Sequence, residues 1–234
     1  MLPIIILAGG LGTRLGERSL ITPKALMPVA DEPFIFHQLR LLKKNNLETV
    51  IICVGYLGRK IEEAVRDGQE FGLKVVYSYD GPKLLGTGGA LRKAALLLES
   101  HFLVTYGDSY LDIDYQEVAE AFLNSGQPAL MTVYLNENQF DRSNVLYSNG
   151  TIRLYDKKLN DPDMKHIDYG LSGLTRDIIL SGPEGEAFDL ADLMTSLARK
   201  NQLAGFLAAK RFYEIGSAAG LSELDSLLRN KTKG

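Results

Sequence analysis

Short apolar runs separated by amphipathic ones set the plan of this chain: PIIIL, then FIFHQLRLLKKNN, ETVIICV, RKIEEAVRDG, KVVYSY, GALRKAALLLES and HFLVTYGD. The short runs are too uniformly apolar to keep one face in water, and the runs between them repeat apolar residues at helical spacing. That alternation predicts β-α-β-α-β-α-β, with a parallel sheet covered on both faces. A further helix is expected at DYQEVAEAFLNSG and a strand at PALMTVYL. In NVLYSNGTIRLYD, Asn149-Gly150 falls between alternating apolar residues, the strongest short-range hairpin signal, so antiparallel strands enter and the sheet turns mixed. The remainder reads as a strand near IDYGLSGL, a helix at DLADLMTSLARKN, a strand at LAGFLAA or FYEIG, and a closing helix at AAGLSELDSLLRN. The expectation is α/β: a single-domain, Rossmann-like, mixed but mainly parallel sheet sandwiched by helices. No repeat, low-complexity tract or long linker divides the chain.

Length and charge narrow the function classes. The 234 residues are 45% apolar, which suits one large core. With 26 basic and 29 acidic side chains the net charge is −3, so no overall positive field favours nucleic acid, although a local cationic cleft for phosphates is compatible. Cys53, the single cysteine, lies inside VIICVG and reads as a small buried apolar side chain. No run approaches the ~18 apolar residues of a membrane span and none resembles a signal peptide, so a cytoplasmic protein without a membrane role is expected.

In open α/β sheets ligands bind beyond the carboxyl ends of the strands. The conspicuous residues cluster there: Leu7–Gly16 (LAGGLGTRLG) after PIIIL, Gly86–Gly89 (GTGG) after KVVYSY, and Gly107-Asp108 after FLVTY. Consecutive glycines leave backbone N–H groups free to converge on an anion, although a plain strand-to-helix turn would need them too. Two familiar nucleotide motifs are disfavoured. A P-loop requires Lys then Ser or Thr after its second glycine, where Gly12 is followed by Thr13-Arg14; a dinucleotide fingerprint opening at Gly10 requires Gly or Ala where Leu15 stands.

Taken jointly, LAGGLGTRL, TPKALMPVADEPFI, LGTGGAL, the strand-end Gly107-Asp108 and RFYEIGS resemble the sugar-1-phosphate nucleotidyltransferase family over nearly the whole chain. The resemblance implies the nucleotide-diphospho-sugar transferase type of fold, with residues 1–125 serving the nucleotide, 126–234 the sugar phosphate, and no C-terminal β-helix. It implies attack by a sugar 1-phosphate oxygen on the α-phosphorus of a nucleoside triphosphate, expelling pyrophosphate. Such a displacement calls for charge neutralisation and positioning. By resemblance, Leu7, Ala8, Gly9 and Gly10 line the nucleotide, Gly12 and Thr13 add amides, and Arg14 meets the β- and γ-phosphates. Lys24 steadies the α-phosphate region. Gly86, Thr87, Gly88 and Gly89 close over base and ribose, largely through backbone atoms.

Asp108 is expected as a Mg²⁺ ligand with Glu214 as its partner. Aspartate is usual at the second place, and the extra methylene of Glu214 leaves direct or water-mediated coordination open. Lys157, after Asp156 where the family has glutamate, corresponds to the sugar-phosphate lysine, with Lys158 as its alternate. Asp168, Tyr169 and Gly170 stand where relatives hold sugar hydroxyls, and Tyr169, unusual there, would stack on a ring or narrow the pocket. Tyr56 at a strand end is a further acceptor contact to consider. His37, His101 and His166 have no ligand spacing and read as structural.

The compact length and LGTGGAL are most similar to the heptose-1-phosphate guanylyltransferases, with N-acetylmuramate-1-phosphate uridylyltransferases next. A cytidylyltransferase acting on a non-sugar phosphate such as phosphocholine shares the opening motif but not GTGG. A regulatory nucleotide-binding protein without catalysis is the alternative from another class, raised by Asp156 and Glu214. The implied product is an NDP-sugar for polysaccharide or cell-envelope glycan synthesis, and pairing as a homodimer is expected by analogy.

Overall fold

The computed structural model describes residues 1–10 and 21–231; Gly12, Thr13 and Arg14 lie outside the described residues. One nine-stranded sheet organises the molecule. Its strands are β1 (Ile4–Leu7), β4 (Thr49–Val54), β5 (Lys74–Tyr79), β6 (His101–Tyr106), β8 (Ala129–Leu135), β9 (Val145–Ser148), β10 (Thr151–Tyr155), β11 (His166–Thr175) and β12 (Leu203–Leu207). Their spatial order is β5-β4-β1-β6-β11-β8-β12-β10-β9. β5, β4, β1 and β6 are parallel neighbours; β11 runs against β6 and β8, and β12 returns parallel to β8. The predicted hairpin is β9 and β10, turned at Asn149 (φ 48°) and Gly150 (φ 76°), the two positive values that a tight primed turn requires. The mixed, mainly parallel α/β architecture read from the sequence is the one observed.

Period-two alternation splits the strands between two cores. Ile4, Ile6, Val50, Ile52 and Leu103 face one side, against helices α1 (Phe34–Lys44), α2 (Gly58–Val65) and α4 (Tyr115–Ser125) through Leu39, Ile61 and Phe122. Ile5, Ile51, Cys53, Phe102 and Val104 face the other, against α3 (Gly86–Ala95), α5 (Arg176–Leu180) and α6 (Leu190–Arg199) through Leu91, Ile179 and Met194. Coverage on both faces is why these runs carry no polar alternation.

Two dipeptide pairings complete the set of strands, and they escape periodicity because two residues have no period. β2 (Pro28–Val29) pairs with β3 (Glu32–Pro33), and β7 (Ser109–Tyr110) pairs with β13 (Tyr213–Glu214). A third, smaller core joins them to α7 (Ala218–Lys231): Met27, Val29, Phe34, Tyr110, Ile215, Leu224 and Leu228. Arg229 on α7 binds both Asp31 in the β2–β3 turn and Asp225 on its own helix, and Asp225 accepts the Ala30 N–H. Among the described residues no helix is long and apolar enough to cross a membrane.

Candidate active site

After β1, the chain builds β4 and β5 to one side and then β6 to the other, so strand order reverses between β1 and β6. Chains leaving the carboxyl ends of such strands diverge and leave a crevice. Two clefts open there. The first, about 240 Å³, is lined by Leu7, Ala8, Gly9, Gly10, Lys24, Asp80, Gly86, Thr87, Tyr106 and Asp108 among others. The second, about 910 Å³, is lined by residues from Tyr106 to Glu223 that include Arg142, Lys157, Asp168, Arg211 and Glu214. Tyr106 belongs to both walls, so a ligand in one abuts a ligand in the other.

The first cleft is mostly backbone and apolar side chain with a charged end. Lys24 follows Pro23 and opens a single 3-10 turn, Lys24–Leu26. Its Nζ donates to Asp108 Oδ2 at 2.9 Å, with the two side chains 20% and 31% exposed, half-sheltered but reachable. Asp108 is held in place from below. The buried Gln38 on α1 donates both amide hydrogens, to the carbonyls of Tyr106 (2.9 Å) and Ser109 (3.0 Å), clamping the backbone on either side of Gly107-Asp108. Gly107 is required here, since a Cβ would stand 2.8 Å from that of Ala8.

The GTGG segment divides its duties. Gly86 (φ 70°) and Thr87 reach the first cleft, whereas Gly88 and Gly89 face the chain before α6. A Cβ on Gly88 would fall 2.2 Å from the Phe188 ring, and one on Gly89 would fall 2.9 Å from the Glu186 carbonyl oxygen. Gly88 therefore admits the Phe188 ring, and Gly89 the Glu186 carbonyl. Thr87 Oγ1 donates to Asp189 Oδ1 (2.7 Å) and accepts the Leu190 N–H (2.8 Å), stapling the first turn of α3 to the first turn of α6. Burial works against the Asp189 carboxylate, but the Ala191 N–H and the Thr87 hydroxyl outweigh it and hold the group below the usual carboxylate range.

The backbones at Asp108 and Glu214 are joined across β7 and β13, with Asp108 lining the first cleft and Glu214 the second. Glu214 pairs with Ser109, and the Ile215 N–H donates to the Asp108 carbonyl at 2.9 Å. The Glu214 carboxylate folds onto its own turn, accepting the Gly216 N–H and, at 2.8 Å, the Ser217 hydroxyl, just ahead of α7. Gly216 keeps that turn open to Lys24, whose Nζ lies 3.4 Å from where a Cβ would sit. Among the described residues no three His, Cys, Asp or Glu side chains gather as a metal cage. The donor set on offer, the Asp108 carboxylate at the first cleft and the Glu214 carboxylate at the second, is of the kind Mg²⁺ takes, one or two carboxylates with phosphate oxygens and water completing the shell.

In the second cleft β11 carries a bulge between Asp168 and Ser172, with Gly170 at φ 97°. The bulge turns the Asp168 carboxylate to the Tyr155 hydroxyl and the Gly170 N–H, each at 3.0 Å, and so fixes it at the cleft wall. Tyr169 lines the second cleft with its ring buried, edge-on to Phe212 at 5.9 Å, an arrangement that narrows the wall rather than offering a face for stacking. Lys157 Nζ sits 5.9 Å from the centroids of both Tyr106 and Tyr155, at the junction of the clefts. Asp156 caps the following turn by accepting the N–H groups of Lys158 and Leu159. Arg211 lies between the rings of Phe140 (3.9 Å) and Tyr213 (4.4 Å) and forks onto Glu223.

A family model described as Nucleotidyl transferase matches residues 4–143, the span holding the first cleft and the Lys24–Asp108 pair. The chain belongs to the nucleotidyl transferase family. This nucleotidyl transferase is 29% identical over 213 residues to the D-glycero-alpha-D-manno-heptose 1-phosphate guanylyltransferase of Campylobacter jejuni, covering 91% of this chain and 93% of that one. It is 28% identical over 232 residues to the N-acetylmuramate alpha-1-phosphate uridylyltransferase of Neisseria meningitidis, covering 95% and 96%. The fold matches a putative glucose-1-phosphate thymidylyltransferase structure from Bacillus anthracis with a TM-score of 0.85 at 22% identity, over 98% and 96% of the chains. The family read from the motifs is thus the family found.

For this nucleotidyl transferase, the structure brings Leu7, Ala8, Gly9, Gly10, Lys24, Gly86, Thr87 and Asp108 to one cleft, and Lys157, Asp168, Tyr169, Gly170 and Glu214 to its neighbour. Sequence reading missed Gln38, Asp80, Tyr106, Arg142 and Arg211. Tyr106 and Asp80 were within reach, each closing a strand run on the carboxyl side; the others depend on tertiary contacts.

Proposed function

We propose that the protein transfers a nucleotidyl group from a nucleoside triphosphate to a sugar 1-phosphate, releasing pyrophosphate and an NDP-sugar. The observation that carries this reading is the pair of clefts meeting at Tyr106 with the Lys24–Asp108 pair at the charged end of the first. Triphosphate would occupy the first cleft, within residues 1–125, and the acceptor the second, mainly within 126–234. An oxygen of the sugar phosphate attacks the α-phosphorus, the bond from that phosphorus to the bridging oxygen breaks, and pyrophosphate leaves with the electron pair.

The chain's own contribution is positioning and charge. Lys24 would neutralise the α-phosphate as negative charge builds on it, and Arg14 the departing pyrophosphate. Lys157, above Tyr106, would hold the acceptor phosphate toward the first cleft, while Asp168 and Gly170 take sugar hydroxyls. Asp108 and Glu214 are the residues that would hold Mg²⁺, which when bound screens the charge of the reacting phosphates. Guanylyl transfer is the favoured donor chemistry, supported by LGTGGAL and the likeness to the Campylobacter guanylyltransferase. The NDP-sugar product would serve polysaccharide or cell-envelope glycan synthesis in the cytoplasm.

A grid of GTP, UTP, CTP, ATP and dTTP against several sugar 1-phosphates, read by pyrophosphate release, tests the reading. Release in at least one cell, abolished by chelating magnesium, is the expected result. Blank cells throughout, with nucleotide still bound, would overturn it in favour of a binding protein.

A further inference from the structure

Among the described residues Asp80 is the one buried carboxylate that lines the first cleft. It follows β5 directly, lines the cleft, and is 8% exposed. Its Oδ2 lies 3.5 Å from where a Gly9 Cβ would stand and 3.4 Å from a Gly55 Cβ, so it rests against bare backbone beyond the ends of β1 and β4. Among the described residues one hydrogen bond reaches it, a long one of 3.3 Å from the Leu85 N–H. Burial raises its pKa, and the Leu85 N–H and the Lys93 ammonium only partly offset that. A carboxylate so placed is under-supplied with donors, and withdrawing it from water without them is unfavourable. A ligand that brings two N–H groups would supply the deficit.

We infer that Asp80 selects the base, accepting the N1–H and the 2-amino group of guanine with its carboxylate. This rests on the reading of the first cleft as the nucleotide site. Guanine alone among the common bases presents two adjacent donors on its pairing edge. Uracil and thymine present one N–H between two carbonyl oxygens, and adenine and cytosine one amino group beside a lone-pair nitrogen. Each of these sets an acceptor against a carboxylate, which when ionised only accepts. A site built around buried hydrogen-bonding groups rejects ligands that leave them unpaired.

Inosine triphosphate isolates the contact, because it lacks only the 2-amino group. Calorimetric titration of the wild-type protein is expected to show GTP binding about 10-fold or more tighter than ITP, as for one hydrogen bond to a charged group. UTP, CTP, ATP and dTTP should bind more weakly still. Asp80→Asn keeps an oxygen for the Leu85 N–H while turning a donor toward the base, so it should fold normally and bring GTP and ITP within about 2-fold of each other. Equal binding of GTP and ITP by the wild type, tighter binding of any pyrimidine triphosphate, or an Asp80→Asn protein that retains the GTP preference would overturn the inference. Binding also separates it from the transfer reaction. A guanine preference without pyrophosphate release leaves Asp80 as the base reader and removes the enzyme reading, and release with UTP in preference to GTP does the reverse.

Discussion

Lys24 Nζ stands 2.9 Å from Asp108 Oδ2, joining two residues 84 positions apart at the edge of the first cleft. The pair balances its own charge while the cleft is unliganded, and a triphosphate would compete for the lysine. Lys24→Met should therefore lower kcat/KM by at least ~10²-fold, as for removal of a preorganised charge facing the transition state. Because both side chains are partly exposed, the melting temperature should move little. Pyrophosphate release and thermal unfolding measured together check both halves.

Asp108→Asn keeps the shape of the side chain and the lysine contact but removes the charge. Turnover is expected to fall by at least ~10²-fold, with a higher magnesium concentration needed for half-maximal rate. Near-normal turnover at ordinary magnesium would take Asp108 out of the site.

Gln38 never touches substrate, yet its amide clamps the carbonyls flanking Gly107-Asp108. Gln38→Leu leaves two sheltered carbonyls without donors, a destabilisation of about 1–3 kcal/mol. Kinetically it should reduce kcat more than it raises KM for the sugar phosphate, since the misplaced group is Asp108. An equal effect on the two constants would mark Gln38 as a packing residue only.

Gly88→Ala sets two effects in opposition. In an α-helix alanine is favoured over glycine by about 1 kcal/mol, but the new methyl would stand 2.2 Å from the Phe188 ring. Overpacking of that kind is worth about 1–3 kcal/mol, so a lower melting temperature is expected. Phe188→Ala in the same protein should recover part of the loss, and a double-mutant cycle reads the coupling.

The Asp189 carboxyl is held below its ordinary range, so it stabilises the fold above the pKa of the unfolded chain, ~3.9. That contribution should disappear as the pH falls through the lower folded value. Asp189→Asn should consequently be less stable than wild type at pH 7 and approach it at pH 3, measured by thermal unfolding across that range.

Much of this was legible in the chain before any coordinates. Ile4 through Leu7 and Thr49 through Val54 read as doubly covered strands because their residues meet helices on both sides, and Asn149-Gly150 read as a hairpin because few other dipeptides adopt two positive φ values. Asp108 carries its position with it, since the end of β6 dictates where it lies, whereas Lys24 is placed by the turn that follows Pro23. The burial of the Tyr169 ring was not legible because β11 gains two residues on β8 between Asp168 and Ser172, and nothing local announces a bulge. A missing Cβ looks the same from either side, so nothing local tells that Phe188, a hundred residues on from Gly88, fills the space beside it. Gln38 gave no local sign, as its partners are carbonyls.

The third core, with Met27, Val29, Phe34 and Tyr110 on one side and Ile215, Leu224 and Leu228 on the other, has a consequence of its own. It fastens Glu214 and the turn after it to the rest of the molecule through side chains that take no part in the great sheet. Loosening that patch should therefore reach the chemistry before it reaches the melting curve.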